Sequence, residues 1–442
     1  MTARVKLPFH PRTLLQRHKN KGKLTLRDST AMAVGGMVGG GIFSVLGVTV
    51  ALAGHLAIAC FIIGGAIAMM TAHSFAVLSL RAGKSGGLFV YLREAGYPKI
   101  GSYTSWLLIF GYIVALAVYA FTFGHYAANV LGLSEFVAKI FSLLIMLLFL
   151  IVNLRGVTAS ALTEDLVVFV KILILALISI IGILHFSPGR LTPLDNKGLT
   201  NVIVASTSIF VAYEGFELLS YDYDDIDKPR KTLPRALYIS VGLVALIYVI
   251  VTFGSQMLVS DHVIIGQKEV AFATVGRAAL GSVGFWLASL GALLASGSAI
   301  NATLFSSARQ INEISLDKEL PASLGKSHSG LPVGGLLMLT IFGGAFALLP
   351  NIIELLTFGS AMFLIIFGIT NYLSYKVSRT LLQKFVSMTG SLACIAAVIV
   401  LFSQLLLHDH STLLLIVISI TCVSIAWLGF EWSKSLRSVQ RD

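Results

Sequence analysis

An all-α integral membrane protein is the fold class this sequence predicts, and three observations predict it. Only 12% of the 442 residues are charged while 56% are hydrophobic, about half the charged fraction of roughly 25% found in soluble domains. The apolar residues run on without interruption, and most runs reach the roughly 20 residues a helix needs to cross about 30 Å of hydrocarbon. Stretches such as 140–152 lack the every-second-residue alternation of a membrane barrel. Lipid leaves backbone groups satisfied only in helices or closed barrels, so helices remain.

Twelve candidate spans follow, near 29–52, 56–80, 100–130, 136–153, 164–186, 200–220, 236–258, 278–305, 333–350, 352–375, 384–407 and 411–430. An even number puts both termini on one side, and the distribution of basic residues says which. With the N-terminus inside, 26 Lys and Arg fall in inner loops and tails, 5 in outer loops, and Lys171 within a span. The expectation is a multi-pass protein of the cytoplasmic membrane with both termini cytoplasmic. Because the basic residues sit in short loops, the net charge of +11 does not point to nucleic acid. Cys60, Cys394 and Cys422 fall inside apolar segments without metal-ligand spacing and read as small buried hydrophobes. The basic start, with Pro8 and Pro11, lacks an apolar core with a cleavage site and reads as a cytoplasmic tail.

Two spans are poor continuous helices. The first holds five glycines in seven positions from Gly35 to Gly41, and each glycine costs about 1 kcal/mol against alanine in a helix. The sixth carries Ala212-Tyr213-Glu214-Gly215-Phe216-Glu217, with two carboxylates at membrane depth. Each opens a block of five spans, and interrupted segments at matching places in two halves point to an inverted-repeat transporter. The expected organisation is a basic tail 1–26, a first repeat 27–186 with helices one to five, and a second repeat 200–378 with helices six to ten. Two further helices at 384–430 and a cytoplasmic tail 431–442 complete it.

Each motif admits a plain structural reading beside a functional one. Gly35/Gly39 and Gly36/Gly40 are GxxxG pairs that let helices approach closely without any ligand. Alternatively, unwinding at Gly39–Gly41 exposes N–H groups at a half-helix N-terminus, suited to a carboxylate. Carbonyls of Val211, Ala212 and Glu214 would then take an ammonium group, and a bulky residue at Gly40 would abolish binding while folding survives. Intramembrane Glu214 and Glu217 are functional candidates by default and share a face if the helix persists; the other reading of Glu217 is a satisfied structural acid. Lys171 has no polar residue one turn away on either side. It either snorkels to the interface or faces the interior, replacing or carrying a coupling cation. His73 and His125 read as helix-contact residues, and Asp222–Arg235 as a solvated charged loop. Without an HExxH, a Walker A loop or a Ser/His/Asp set, enzymatic chemistry has no candidate machinery.

At these residues the chain resembles the amino acid–polyamine–organocation permease family. Gly36-Met37-Val38-Gly39-Gly40-Gly41-Ile42-Phe43 is similar to its first-helix glycine motif. Ser85-Gly86-Gly87-Leu88-Phe89-Val90-Tyr91 resembles its loop between helices two and three, and 210–217 its broken sixth helix. Asp227-Lys228-Pro229-Arg230 is similar to the loop that follows, and Ser298–Arg309 to its eighth helix. The resemblance implies a LeuT-like five-plus-five inverted repeat with two extra helices, transporting amino acids driven by protons, sodium or exchange. It places substrate at Val38, Gly39, Gly40, Gly41 and Ile42 of the first span and at Phe210, Val211, Ala212, Tyr213 and Glu214 of the sixth. Lys171 matches a fifth-helix lysine of some proton-coupled members. Ser298 is the best match for a nearby hydroxyl, with Ser296 the alternative, and Glu217 completes the proton-coupling set. Two departures stand out: Gly40 is often serine in relatives, and Glu214 stands where many carry a neutral residue.

The expected function is a secondary active transporter moving amino acids by alternating access with a proton as the coupling ion, sodium being the lesser alternative. No cofactor, nucleic acid or obligate protein partner is expected beyond the substrate and the bilayer. The rival readings are an amino acid/amine exchanger and, further off, an ion channel.

Overall fold

The computed structural model describes residues 23–155, 161–187, 189, 198–328 and 331–439. Most of the expected N-terminal tail and the last three residues of the C-terminal one lie outside them. The first stretch forms two helices, α1 (Leu26–Met37) and α2 (Gly41–Ala53), and α1 starts on a capping box between Thr25 and Asp28. After α3 (Ala57–Ala82) and the short α4 (Gly87–Glu94) come α5 (Pro98–Leu131), α6 (Glu135–Leu154) and α7 (Ala161–Leu184). The sixth stretch is α8 (Gly198–Ser208) followed by the 3-10 turns Phe210–Tyr213 and Phe216–Asp225. Then follow α9 (Pro229–Leu258), α10 (Asp261–Gln267), α11 (Ala271–Leu316) and α12 (Ala322–Gly325). The two-residue strands Ser327–His328 and Leu331–Pro332 pair antiparallel before α13 (Val333–Phe346), α14 (Ile352–Val377), α15 (Leu381–His408) and α16 (His410–Val439).

Helical elements thus occupy all twelve expected stretches. By length and apolar character, nine helices among the described residues can cross a membrane, or ten if the pair Gly198–Ser208 and Phe210–Asp225, bent by 52°, is one span. The difference from twelve has a physical origin. Breaking the first stretch leaves α1 with 12 residues and α2 with 13, α2 and α3 form one 42-residue run, and α13 has only 14 residues.

Two groups of helices build the interior. α5 packs against α6, α11, α13 and α14, while α9 packs against α1, α3, α7 and the sixth stretch. The apolar stretch of α5 is 89% buried and that of α16 only 6%, so α5 is the central helix and α16 a peripheral one.

The end of the molecule that carries Leu24 is closed by polar contacts. Leu24 exchanges backbone hydrogen bonds of 2.9 Å with Asp225 and Asp227. Arg309 of α11 reaches Asp222 at 3.1 Å and Asp225 at 3.9 Å. Asp222 is buried and, with Asp225, reaches back to α11, and α9 already begins at Pro229, while Asp224, Asp227, Lys228, Arg230, Lys231 and Arg235 are exposed as expected of a solvated charged segment. Nearby, Lys84 lies 2.6 Å from Glu94 and its ammonium holds that carboxyl below the usual carboxylate range. At the opposite end the carbonyl of Lys268 packs so tightly on Gly47 that a side chain there is excluded.

Candidate functional site

Val38, Gly39 and Gly40 leave the helix between α1 and α2. A helix end orphans its last four carbonyls, and here the capping N–H and two neighbouring helices supply donors. Val34 O accepts from Val38 N at 2.8 Å, Gly35 O from Lys171 Nζ on α7 at 2.8 Å, and Met37 O from the Tyr248 hydroxyl on α9 at 2.8 Å. Lys171 is 0% exposed, so it does not snorkel: its ammonium is turned into the protein. The carbonyl it meets is that of Gly35, one turn before the break at Val38–Gly40. On the far side of the break, α2 starts without a side-chain cap. The N–H groups of its first turn, from Gly41 to Phe43, present the positive end of the helix dipole.

Every glycine of this break meets a different neighbour. A Cβ would come within 2.8 Å of Val168 at Gly35, 3.3 Å of Gly215 O at Gly36, 2.6 Å of Ala299 Cβ at Gly39 and 3.4 Å of Ala212 Cα at Gly41. At Gly40 it would meet Ser296 Oγ at 3.0 Å and Tyr119 Cδ1 at 3.2 Å. Close packing and unwinding are therefore one feature. Bulk at Gly40 would strain the contacts with α5 and α11 whatever binds nearby, so that substitution does not separate a ligand role from a packing role.

The sixth stretch breaks differently. Glu214 is extended (φ −64°, ψ 147°) and Gly215 has φ +118°, a conformation that favours glycine. A Cβ on Gly215 would also lie 2.8 Å from the carbonyl carbon of Gly36, so the two breaks meet backbone to backbone. Tyr248 ties them further: its hydroxyl is 2.8 Å from both Met37 O and Ala212 O. Ser360 of α14 donates to Ser208 O and accepts from Val211 N, each at 2.9 Å. Val211 O accepts from Glu214 N at 3.0 Å. Two of the three carbonyls expected to receive an ammonium group thus already hold protein donors.

Because the helix does not persist, Glu214 and Glu217 do not share a face. Both are buried. Glu217 folds back, with Oε2 accepting from Gly215 N at 2.9 Å. Glu214 Oε2 accepts from the Tyr119 hydroxyl of α5 at 2.6 Å. The Oε1 atom of each accepts no hydrogen bond among the described residues.

The structure sets Gly41 against Ala212, links Gly39 and Gly40 to Glu214 through Tyr119, and joins Lys171 at Gly35, while the Val211 side chain packs against Gly359 of α14. Phe210 and Tyr213 turn elsewhere. The Phe210 ring packs edge-on against Phe367, and the Tyr213 hydroxyl donates to Phe61 O at 2.6 Å. Of the two serines, Ser296 is the one beside Gly40, its hydroxyl donating to Ala292 O at 2.8 Å; Ser298 is half-buried on α11. The sequence reading missed Tyr119, Tyr248 and Ser360. Its available signal was the phenol: a buried tyrosine hydroxyl needs a partner, and both tyrosines stand in apolar runs. A cavity of about 260 Å³ lies elsewhere, between Ser85, Arg93, Gln310 and Asp317.

The sequence family described as amino acid permease matches residues 24–428. An uncharacterized protein of Methanocaldococcus jannaschii is 31% identical over 353 residues, covering 79% of this chain and 81% of the relative. The inner membrane transport protein YbaT of Escherichia coli is 28% identical, covering 77% of this chain and 80% of the relative. The serine/threonine exchanger SteT of Bacillus subtilis is 26% identical, covering 70% and 71%.

Proposed function

The chain belongs to the amino acid permease family, and on that premise we propose that it carries an amino acid across the cytoplasmic membrane by proton-coupled alternating access. In this reading twelve spans form two inverted repeats, 27–186 and 200–378, with 384–430 as an addition and both termini cytoplasmic. The broken first and sixth elements hold the substrate between them. The uncapped first turn of α2 suits the α-carboxylate, since backbone N–H groups and the dipole both favour an anion there.

The observation that carries the coupling role is the bond from Lys171 Nζ to Gly35 O. A buried cation needs partners to offset lost hydration. This one finds a partner in a carbonyl freed by the break in the first span. Protonated, Lys171 ties α7 to α1; deprotonated, it no longer has a cation to hold the carbonyl, and α1 is released. Proton binding and conformation are then linked, and the ion gradient biases one access state.

The test is uptake in proteoliposomes with an imposed pH gradient. Lys171→Ala should abolish accumulation while leaving substrate binding measurable. Lys171→Arg should fail as well, because a guanidinium stays charged. Full accumulation by the arginine variant sinks the coupling role. Exchange is the second reading, favoured by the relative named a serine/threonine exchanger. Counterflow of labelled substrate without any ion gradient separates the two.

A further inference from the structure

We propose that the Glu214 carboxylate, oriented by Tyr119, receives the substrate's ammonium group. The ligand class is then a zwitterion with a protonated amine, recognised by a side-chain charge rather than by backbone carbonyls alone. This inference rests on the transport reading and deepens it.

Three observations carry it. First, two of the three carbonyls expected to take an ammonium already accept a protein donor, Val211 O from Glu214 N and Ala212 O from Tyr248. Second, Glu214 is buried with one oxygen held by Tyr119 and the other, Oε1, without a donor. An acid kept only for structure would have both oxygens satisfied, because a buried polar group without a partner is costly. Third, the Tyr119 ring lies against the first break, 3.3 Å from the position a Cβ would take on Gly39 and 3.2 Å from that on Gly40. The tyrosine therefore holds Glu214 beside the break that ends at the first turn of α2. In this proposal a ligand with its carboxylate on those N–H groups turns its amine to the oxygen that Tyr119 leaves unengaged. Glu217 also keeps an Oε1 without a donor among the described residues, but its other oxygen is held by Gly215 N rather than by a side chain packed on the first break, so Glu214 is the acid placed there.

Tyr119 acts as a positioning residue: its hydrogen bond to Oε2 sets the carboxylate's orientation and leaves Oε1 for the ligand.

The experiment is ligand binding to the purified full-length protein, read by thermal shift and titration. The probes are the standard L-amino acids, each with its deaminated acid and its decarboxylated amine. The wild type should bind its best amino acid at least tenfold more tightly than the deaminated acid. Glu214→Gln should weaken the amino acid at least tenfold, about 1.4 kcal/mol, and leave the deaminated acid unchanged. Tyr119→Phe should produce a smaller loss, about threefold, with the same selectivity. Unchanged amino-acid binding by Glu214→Gln overturns the inference and leaves the transport reading standing. A folded wild type that binds none of the amino acids overturns the transport reading, and this inference with it. If Glu214→Gln does not fold, Tyr119→Phe decides: a loss confined to ammonium-bearing ligands supports the role, and an equal loss or none overturns it.

Discussion

The two broken elements reach the same place by opposite chemistry. The first break is neutral and rich in glycine, and its carbonyls are satisfied by long side chains from α7 and α9. The sixth break is acidic, turns on a single glycine with positive φ, and keeps two carboxylate oxygens without donors among the described residues. One presents donors at the start of a half-helix; the other presents acceptors. The difference teaches that a break in a membrane helix is defined less by lost helical bonds than by which neighbours replace them.

Substitutions at the contact between the breaks sharpen this comparison. Gly215→Ala should have the largest effect. It places a Cβ 2.8 Å from Gly36 C at φ +118°, combining backbone strain with overpacking of about 1–3 kcal/mol each. A marked fall in melting temperature and loss of monodisperse protein in detergent are expected; wild-type stability would mean the breaks do not touch as described. Tyr248→Phe comes next. It removes one hydroxyl that serves carbonyls of both breaks, and leaving buried acceptors unpaired costs about 1–3 kcal/mol. Its melting temperature should fall by less than that of Gly215→Ala, and an unchanged value would show that the bridge contributes nothing. The smallest effect belongs to Gly40→Ala, at about 1 kcal/mol, because the atom in the way is the Ser296 hydroxyl at 3.0 Å. Stability measured in a Ser296→Ala background should recover more than half of that loss, and no recovery would place the strain at Tyr119 instead.

What the sequence made legible follows from range. Both breaks could be read because glycine clusters and intramembrane carboxylates are local signals. So could the twelve helical stretches, since apolar runs announce themselves. The partners could not. Lys171 meets a carbonyl 136 positions away and Tyr248 one 211 positions away, and no periodicity encodes such pairings. The family resemblance places Phe210 and Tyr213 in the site with the rest of the sixth-span motif. The 3-10 turn aims their side chains at α14 and α3 instead. Tyr119 was overlooked because a phenol in an apolar helix looks like any other aromatic until the acid it holds is placed beside it.

Arg309 closes the Leu24 end by pairing with Asp222, and its side chain is 34% exposed. Any movement that parts α11 from the sixth stretch there separates this pair. Solvent reaches the guanidinium, but physiological salt screens charges only beyond about 8 Å. A pair 3.1 Å apart with Asp222 buried lies well inside that length, so this closure is insensitive to ionic strength and yields to separation of the elements rather than to electrolyte.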